Sequence, residues 1–555
     1  MEDTICVIGA GCAGLSAIKG LKEEGFTNIT CYEMADTIGG LWNYTDELKP
    51  NHRAGIHKRL YTNTDKETTC FSDFPFPDED TAYVSHEQFM DYVHHYAKAF
   101  DLRKHVTFNT RVLAVRRNDD FERTGRWQVT YQTKGHDASD RVFDRVVVCS
   151  GFFSKAVQPD VPGLDTFPGR VITAADFRKG EDYEGKRVLV VGNGLSAADV
   201  VGDVAHFAKM IYIAVGEGTW VYPRFLPNCE PTIFLITRKF VYWTNPLKAN
   251  RSVEKLLNTF LDHYKMNIAN PKGPVFSHVM ISSVMPALIG NGQLKVKGHL
   301  ESFSGSQAVF RDGSLVNDID DVVFACGYTH NYPFLEKNIV GDDLCETNMY
   351  KQVWPFESFL SAAAEIQKHP TLAVVGCMAT NGAMLPLFEL QTRWIARVFS
   401  RKNELPPSDV MRKDGRAFWV GLRAQWGKNK LFLPAIVYMD QIADFIGCKP
   451  NIWRYLLSDP QVGWRLIYQP IFSCQWRLQG PHKWDKARER YLGAYDRVVN
   501  ATKHGARHVT KPASNDWSKT KALAVIVGAC LVAYYARQYQ EQLTEAFKLA
   551  IGQSA

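Results

Sequence analysis

The chain has 555 residues, of which 45% are hydrophobic, 22% charged and 12% aromatic, and its formal net charge at pH 7 is +6. This composition is ordinary for a globular protein and excludes a disordered, collagenous or wholly membrane-embedded chain. The length predicts about three to four domain-sized units, and the small positive charge argues against a dedicated nucleic-acid binder.

The first predicted element is a short apolar run at Thr4–Ile8, which is typical of a strand buried on both faces of a parallel sheet. A glycine turn follows it, residues Gly14–Glu24 are good helix formers, and Gly25 is placed to end the helix. The run Ile29–Tyr32 predicts the next strand. This order of elements is one βαβ unit.

The turn in this unit has the pattern G-x-G-x-x-G, and an acid, Glu33, follows about twenty residues later. The glycines permit a tight turn, close backbone approach to a pyrophosphate and close helix packing, while the acid accepts hydrogen bonds from the adenosine ribose. The predicted first nucleotide site comprises Gly9, Ala10, Gly11, Cys12, Ala13, Gly14 and Glu33.

The same order recurs downstream, with a predicted strand at Arg187–Val191, a helix from about Ser196 and a strand at Met210–Ala214. The intervening turn is G-x-G-x-x-A, formed by Gly192, Gly194 and Ala197. Two such folds predict two dinucleotides, and a flavin reduced by a nicotinamide nucleotide is the economical chemistry. The alternative is a degenerate second fold that binds nothing.

Three further apolar runs end beside glycines and are predicted to return to the two sheets, at Val146–Cys149, Val322–Ala325 and Leu372–Val375. The segment from Arg224 to about Leu294 interrupts the second unit as an insertion. The predicted fold class is therefore α/β, with two Rossmann-like dinucleotide-binding domains and a helical insertion.

The C-terminal region has a different composition. Ten lysines and arginines against four acids between Lys483 and Lys521 precede fifteen uncharged residues, Ala522–Ala536. A spanning helix needs about twenty residues, so this stretch predicts a short or interfacial membrane anchor helix at 519–540, with a core-packed terminal helix as the alternative. The basic flank fits the cytoplasmic side of an anchor.

The twelve cysteines are too sparse for a disulfide scaffold, and no two of them have C-x-x-C spacing. The N-terminal residues show no signal-peptide pattern. We therefore expect inert thiols in a reducing compartment and a body that faces the cytosol. No metal site is predicted.

Several segments outside the glycine turns resemble the pattern of animal flavin-containing monooxygenases, and the resemblance covers nearly the whole chain. The matching segments are Gly39–Trp42, Leu60–Lys66, Phe71–Pro77, Phe324–Tyr328, Leu390–Trp394, Tyr438–Asp440 and Trp476–Pro481. The resemblance implies that NADPH reduces FAD and that O2 then gives a C4a-hydroperoxyflavin. A small soft nucleophile, an amine nitrogen or a sulfide sulfur, then takes one oxygen atom.

The resemblance also implies site residues and an endoplasmic reticulum membrane location through the C-terminal helix. The oligomeric state stays open, with a homo-oligomer as one alternative. Flavin contacts carry over to the first glycine turn and to Gly40, Leu41, Trp42 and Gln391. Nicotinamide-nucleotide contacts carry over to the second turn and to Ser196, Ala198 and Asp199. Asp199 has a second interpretation as a first-turn acid that complements the helix dipole.

Thr62 and Asn63 fall where the family brings both cofactors together, and Asn63 is the predicted catalytic residue. Its amide can donate and accept hydrogen bonds, which suits holding an oxygenating flavin and NADP⁺ together. The alternative is a loop-capping asparagine, because Thr-Asn-Thr-Asp is also ordinary turn chemistry.

The resemblance implies a division of the chain. It predicts a FAD-binding domain in two parts at 1–158 and 331–450, an NADP-binding domain at 159–330 with the insertion at about 224–294, a C-terminal helical region at 451–518, the anchor at 519–540 and a tail at 541–555.

Three positions depart from the family pattern. The oxygenase fingerprint F-x-G-x-x-x-H-x-x-x-[YF] has Thr173 in place of its histidine, which puts in doubt the coupling of nicotinamide binding to oxygenation. Gly216, beside Glu217, stands where relatives carry an arginine for the 2′-phosphate of NADPH. This predicts some tolerance of NADH unless Arg224 or a nearby lysine compensates. Cys326 replaces a threonine and is predicted to be a packing residue.

The leading interpretation is thus a membrane-associated, FAD-dependent monooxygenase of soft heteroatoms. A Baeyer–Villiger oxygenase of ketones and an NAD(P)H oxidase that releases hydrogen peroxide are the enzymatic alternatives. A catalytically silent, membrane-tethered binding protein is the alternative outside enzymes. A disulfide reductase is disfavoured by the lack of a C-x-x-C pair.

Overall fold

The computed structural model describes most of the chain up to residue 501. The described residues are 1–47, 55–226, 229–235, 237–238, 246–329, 331–336, 339–340, 349–380, 382–426, 432–433 and 435–501.

The first of two large sheets has five parallel strands. Their order in space is Leu372–Val374, Arg145–Val148, Ile5–Ile8, Ile29–Tyr32 and Val106–Thr107. The three central strands of this sheet, Arg145–Val148, Ile5–Ile8 and Ile29–Tyr32, are buried along almost their whole length. This burial is expected of apolar β-branched runs between two helical layers. The predicted strands in this sheet are confirmed within one residue at their ends.

The helix after the first glycine turn spans Cys12–Glu23, so it begins two residues before the predicted start. It packs against the helix Leu385–Phe399. Gly20 lets the two backbones approach, because a Cβ atom there would lie 3.3 Å from the carbonyl oxygen of Thr392. The second half of the chain thereby closes the first domain.

The second large sheet repeats the parallel arrangement. Its order in space is Leu294–Lys297, Met210–Ala214, Arg187–Val191, Asp321–Phe324 and Arg170–Thr173. The helix Leu195–Val204 follows the second glycine turn, one residue before its predicted start. The prediction of two mixed α/β nucleotide folds is therefore confirmed.

Between the strands Met210–Ala214 and Leu294–Lys297, the described residues of the insertion form a small parallel pair of strands and two helices. The strand Trp220–Tyr222 pairs with Val279–Ile281. The helices in this segment are Pro246–Leu257 and Met285–Gly290.

Smaller elements complete the described fold. The remaining strands are Thr110–Arg117, Trp127–Thr133, Ser139–Phe143, Lys155–Ala156, Leu300–Ser304, Gln307–Phe310, Leu315–Val316, Tyr328–Thr329, Met349–Tyr350, Trp354–Pro355, Ala379–Thr380 and Phe432–Leu433. The remaining helices are Lys66–Thr69, His86–Ala99, Phe121–Thr124, Ala364–Lys368, Ser408–Trp426, Ala435–Ile446, Ile452–Ser458, Pro460–Tyr468 and Ala487–Asn500.

A buried ion network ties the C-terminal region to the first domain. One guanidinium nitrogen of Arg477 lies 2.7 Å from a carboxylate oxygen of Glu389, 3.1 Å from Asp73 and 3.2 Å from Glu23. Burial alone would raise the pKa of Glu389, but the cations around it, Arg477 first, hold that pKa below its usual range. The segment around Arg477 is therefore fixed by charge as well as by packing.

The predicted anchor at 519–540 and the tail at 541–555 lie outside the described residues. Among the helices that the structure describes, none combines the length and apolar character needed to span a membrane.

Candidate active site

A large cavity of about 1510 Å³ lies against both glycine turns. It also touches the segment Tyr61–Thr64 and strand ends of both sheets. Ligands of open α/β sheets bind outside the carboxyl ends of the strands, where the strand order reverses. The cavity has this position in both domains at once.

The first glycine turn forms a cradle without side chains. Gly9 has φ +99°, and a Cβ atom there would lie 2.8 Å from the carbonyl oxygen of Cys149. A Cβ atom on Gly14 would lie 1.8 Å from the carbonyl oxygen of Gly9, so the third glycine serves helix packing as predicted. Gly11 and Gly40 face each other, with 3.1 Å between a Cβ atom built on Gly40 and the Cα atom of Gly11.

Glu33 is buried at the end of the strand Ile29–Tyr32 and lines the cavity. Its two carboxylate oxygens accept hydrogen bonds from the backbone N–H groups of Ala10, at 2.6 Å, and Ala35, at 2.8 Å. These bonds fix the carboxylate beside the turn. Because each oxygen has a second lone pair, Glu33 keeps the capacity to accept from a ribose.

Leu41 and Trp42 line the cavity from the short helical turn Gly40–Trp42. The Trp42 ring stacks on Phe89, with 3.8 Å between ring centroids and 17° between planes. This stacking holds a flat apolar wall beside the first glycine turn.

The second glycine turn is built in the same way. Gly192 has φ +153°, and a Cβ atom there would lie 2.4 Å from the carbonyl oxygen of Ala325. Gly194, the residue before the helix Leu195–Val204, faces open space, and no side chain caps that helix. Its N-terminus therefore presents backbone N–H groups and the positive end of the dipole to the cavity.

Four more of the predicted nucleotide residues lie in this helix and have different environments. Ser196 lines the cavity, whereas Ala197 and Ala198 are buried against the second sheet. Asp199 does not line the cavity, and burial raises its pKa to about 7 even though Arg224 lowers it. Asp199 therefore lies behind the nucleotide turn.

Asn63 and Thr62 lie side by side on the cavity wall. Thr62 is buried and pinned to Val84, because its backbone N–H donates to the Val84 carbonyl at 2.9 Å and its hydroxyl accepts from the Val84 N–H at 3.1 Å. The side-chain oxygen of Asn63 is buried and has no hydrogen-bond partner among the described residues.

The turn chemistry of this segment is performed by Asp65. Its carboxylate accepts from the backbone N–H groups of Glu67 and Thr68, each at 3.0 Å, and caps the helix Lys66–Thr69. Asn63 is consequently not the capping residue, which removes the main alternative to a role at the cavity.

Gln391 occupies a different place from the one that the resemblance implies. It is fully buried and does not line the cavity. Its side-chain oxygen accepts from the Gly376 N–H at 2.8 Å, and its nitrogen donates to the Tyr438 hydroxyl at 2.7 Å. Gly376 does line the cavity, so Gln391 supports the wall from behind. Two other predicted residues, Ala10 and Gly14, likewise support the cradle without lining it.

Arg224 reaches from the second domain to the first. Its guanidinium donates to the Thr62 carbonyl at 2.7 Å and lies 5.3 Å from the centre of the Tyr83 ring. Arg224 does not line the cavity around Gly216. The structure therefore gives Arg224 a part in joining the domains and not the compensating role considered for it.

The other departures from the family pattern have local explanations. The Thr173 hydroxyl donates to the Asp176 carboxylate at 2.7 Å and thus closes its own turn. Glu217 pairs with Lys272 at 3.2 Å on the exposed surface. Cys326 is half-buried, its sulfur lies 3.5 Å from the Val191 carbonyl oxygen, and burial raises the pKa of the thiol to about 11.

Arg178 and His299 are among the cavity residues that the sequence analysis missed. Arg178 is buried and donates to the carbonyls of Ala175 and Phe177, both at 2.9 Å, while lining the cavity. Its position directly after the last residue of the oxygenase fingerprint was a usable signal. His299 lines the cavity beside Gly216. No local pattern marks His299, because only the pairing of strands places it there.

The described residues fit a flavin dinucleotide and a nicotinamide dinucleotide. Each glycine turn leaves a space that a Cβ atom would fill or narrow, each turn meets an uncapped helix N-terminus, and Glu33 stands at the ribose position of the first fold. Among the described residues no cluster of acids, histidines and cysteines is suited to a metal ion.

The comparisons with known proteins agree with this geometry. The family model described as "Flavin-binding monooxygenase-like" matches residues 2–535. Flavin-containing monooxygenase 5 of Mus musculus is 34% identical, over 96% of this chain and 98% of the relative. Dimethylaniline monooxygenase [N-oxide-forming] 4 of Homo sapiens is 33% identical, over 98% of each chain.

Solved structures share the fold at lower identity. S-allyl-L-cysteine S-oxygenase from Allium sativum aligns with TM-score 0.62 and 24% identity, over 90% of this chain and 98% of that one. Cyclohexanone monooxygenase from Rhodococcus sp. Phi1 bound to NADP⁺ aligns with TM-score 0.57 and 18% identity, over 80% of this chain and 97% of that one. The predicted family and the predicted cofactors FAD, NADPH and O2 are confirmed, and the chain belongs to the flavin-binding monooxygenase family.

Proposed function

We propose that this enzyme transfers one oxygen atom to the nitrogen or sulfur of small soft nucleophiles in the cavity between its two glycine turns. The observation that carries the proposal is the Asn63 amide on the wall of a cavity that also touches both turns. Its buried side-chain oxygen has no hydrogen-bond partner in the part of the chain that the structure describes. An unpaired buried amide costs free energy unless a ligand satisfies it.

When bound, FAD accepts electrons from NADPH and activates O2 for transfer of one oxygen atom. The first glycine turn and Glu33 would hold FAD, and the second turn with Ser196 would hold the nicotinamide nucleotide. Leu41 and Trp42 contribute apolar wall, which helps to exclude water from the reacting groups. These assignments of individual residues remain predictions.

Asn63 has the role of orienting the reacting groups. Its amide nitrogen donates a hydrogen bond and its oxygen accepts one, so the side chain can hold an oxygen on the flavin side and an amide on the nucleotide side. Arg224 keeps the neighbouring Thr62 carbonyl in place from the second domain, so the position of Asn63 depends on the contact between domains.

The substitution Asn63→Ala tests this role. We expect FAD content and unfolding temperature to stay within error of the parent, sulfoxide or N-oxide formation to fall about tenfold or more, and hydrogen peroxide per NADPH to rise, because one positioned donor is lost. Asn28→Ala is the control, since the Asn28 amide is exposed and donates only to the Glu2 carbonyl. Unchanged product yield in Asn63→Ala would contradict the proposal.

The second candidate function is an NADPH oxidase that releases hydrogen peroxide. Thr173 favours it, because its hydroxyl is already used by Asp176 and cannot take over the charge of the fingerprint histidine. The substitution Thr173→His separates the two functions: higher product per NADPH would identify a parent limited by the missing histidine. Equal coupling in both proteins would exclude a role of Thr173.

We also propose attachment to the endoplasmic reticulum membrane through residues 519–540, with the catalytic body facing the cytosol, and assembly as a homo-oligomer. The basic flank before the apolar stretch supports the orientation. Removal of residues 519–555 followed by membrane sedimentation tests the attachment, and a truncated protein that still sediments would contradict it.

A further inference from the structure

The second nucleotide fold lacks the acid that the first fold carries. Glu33 directly follows the strand Ile29–Tyr32, and Val215 directly follows the corresponding strand Met210–Ala214, which pairs in the same parallel way with the strand before its glycine turn. Val215 thus holds the position of Glu33. An acid there binds the ribose hydroxyls and repels a 2′-phosphate, whereas valine leaves the position open to a phosphorylated ribose.

An imidazole occupies the space beside this position. The strand Leu294–Lys297 is parallel to Met210–Ala214, and the Val215 N–H donates to the Lys297 carbonyl at 2.9 Å, so His299 follows at the same sheet edge. A Cβ atom on Gly216 would lie 3.2 Å from Cε1 and 3.5 Å from Nδ1 of His299. The imidazole ring therefore lies in close contact with the position at which a side chain of residue 216 would begin.

His299 is accessible to a ligand. It is half-buried and lines the cavity together with Val215 and Gly216. Among the described residues neither of its ring nitrogens has a hydrogen-bond partner, while its backbone carbonyl accepts from the Arg311 N–H at 2.9 Å. The backbone is thus fixed and the ring nitrogens are available.

The charged groups around the imidazole leave room for an anion. On the Gly216 loop, Glu217 is paired with Lys272 at 3.2 Å. On the strand before the imidazole, the Lys297 amine donates to a serine hydroxyl at 3.1 Å and adds positive charge. Arg311 on the adjacent hairpin is exposed and also positive, and Glu301 is the acid on the segment that follows the imidazole along the cavity.

We propose that His299 binds the 2′-phosphate of NADPH in place of the arginine that Gly216 does not supply. The inference rests on the use of NADPH by this family and adds the residue that distinguishes NADPH from NADH in this chain. The protonated ring donates from two nitrogens and carries charge, whereas the neutral ring keeps one donor and no charge. A protonated ring therefore binds the phosphate more strongly than a neutral ring.

The test measures binding and not turnover. The full-length protein is titrated calorimetrically with 2′,5′-ADP and with 5′-AMP, which lacks the 2′-phosphate, at pH 6, 7 and 8. We expect 2′,5′-ADP to bind about tenfold more tightly than 5′-AMP at pH 6, because the imidazole can donate to the 2′-phosphate that only the first probe carries.

Three variants separate His299 from other causes. His299→Gln should lower the affinity ratio at pH 6 by about tenfold. His299→Arg keeps its charge at every pH and should hold the ratio high at pH 8, which also corrects for ionisation of the phosphate itself. His136→Gln, at an exposed turn of the antiparallel sheet, should match the parent.

An unchanged ratio in His299→Gln would overturn the inference, because another group would then bind the phosphate. Equal binding of the two probes by the parent at pH 6 would also overturn it. Neither result depends on oxygen transfer, so an enzyme that proves to release hydrogen peroxide would still show the His299 effects, and the two proposals fail separately.

Discussion

Replacement of Gly14 by alanine sets two effects of opposite sign against each other. Gly14 lies inside the helix Cys12–Glu23, where alanine is favoured over glycine by about 1 kcal/mol in helix propensity. The added Cβ atom, however, would lie 1.8 Å from the Gly9 carbonyl oxygen and 2.9 Å from the carbonyl carbon. Ordinary contact begins at 3.4 Å, so helix and turn must separate by about 1.6 Å.

The clash decides the outcome. Overpacking against side chains costs about 1–3 kcal/mol, and here the obstructing atoms are backbone and belong to the nucleotide turn itself. After the gain in helix propensity is subtracted, we expect Gly14→Ala to lower the free energy of unfolding by about 2 kcal/mol. If the domain unfolds as a unit, its unfolding temperature should fall by about 4–8 °C. The variant should also be purified with little FAD. Thermal unfolding by circular dichroism and the flavin-to-protein absorbance ratio measure both effects.

Gly194→Ala is the matched change in the second turn. Its φ is −117°, and a Cβ atom there would meet nothing within 4 Å, so folding and FAD content should be unchanged. The methyl group still projects toward the approaching pyrophosphate, and we expect weaker NADP⁺ binding. A Gly14→Ala protein with full FAD content and the parental unfolding temperature would refute the reasoning. It would show that the close approach of helix and turn does not exclude a Cβ atom at residue 14.

Two further predictions concern buried charge. Arg477→Met removes the ion pair of the buried Glu389, while Lys19 still pairs with Glu23 and Asp73, and should cost about 3–5 kcal/mol of unfolding free energy in urea. Arg488→Met breaks an exposed pair with Asp459 and should lower the unfolding free energy far less. Similar losses in both variants would contradict the role of burial. Burial raises the pKa of Asp199 to about 7, so the folded protein retains a proton that the unfolded chain releases near pH 4, and stability is lost as the pH rises from about 4 to 7. Asp199→Asn should not show that loss, and parallel pH profiles of the urea midpoint would refute the assignment.

The sheets and glycine turns could be predicted because their requirements are local. Gly9 and Gly192 adopt positive φ and leave no room for a Cβ atom, and the apolar runs before them are buried on both faces. Such constraints depend on consecutive residues. The predicted ends of these strands and helices accordingly differ from the observed ends by no more than two positions.

The parts that could not be predicted depend on contacts between distant segments. The Gln391 side chain makes hydrogen bonds to Gly376, fifteen residues away in sequence, and to Tyr438, 47 residues away. No rule of sequence spacing predicts these two contacts. His299 reaches Gly216 only through the register of two parallel strands. The sequence around Arg224 does not indicate that its guanidinium donates to the carbonyl of Thr62, which is 162 residues away.

The interpretation of Asn63 depends on both the sequence and the structure. Sequence alone left a choice between a turn cap and a catalytic amide. The structure assigns the cap to Asp65, and no described residue makes a hydrogen bond to the Asn63 side-chain oxygen at the cavity wall. The remaining question is chemical, since an amide in that position serves oxygen transfer only if the activated oxygen reaches a substrate.

The most direct measurement follows the fate of labelled oxygen. The full-length enzyme is incubated with NADPH, ¹⁸O2 and a dialkyl sulfide, and the sulfoxide, its isotopic content and hydrogen peroxide are each quantified per NADPH oxidised. The account predicts sulfoxide that carries one ¹⁸O atom and accounts for most of the NADPH. Complete conversion of NADPH equivalents to hydrogen peroxide, with no labelled product from a sulfide or a tertiary amine, would contradict it.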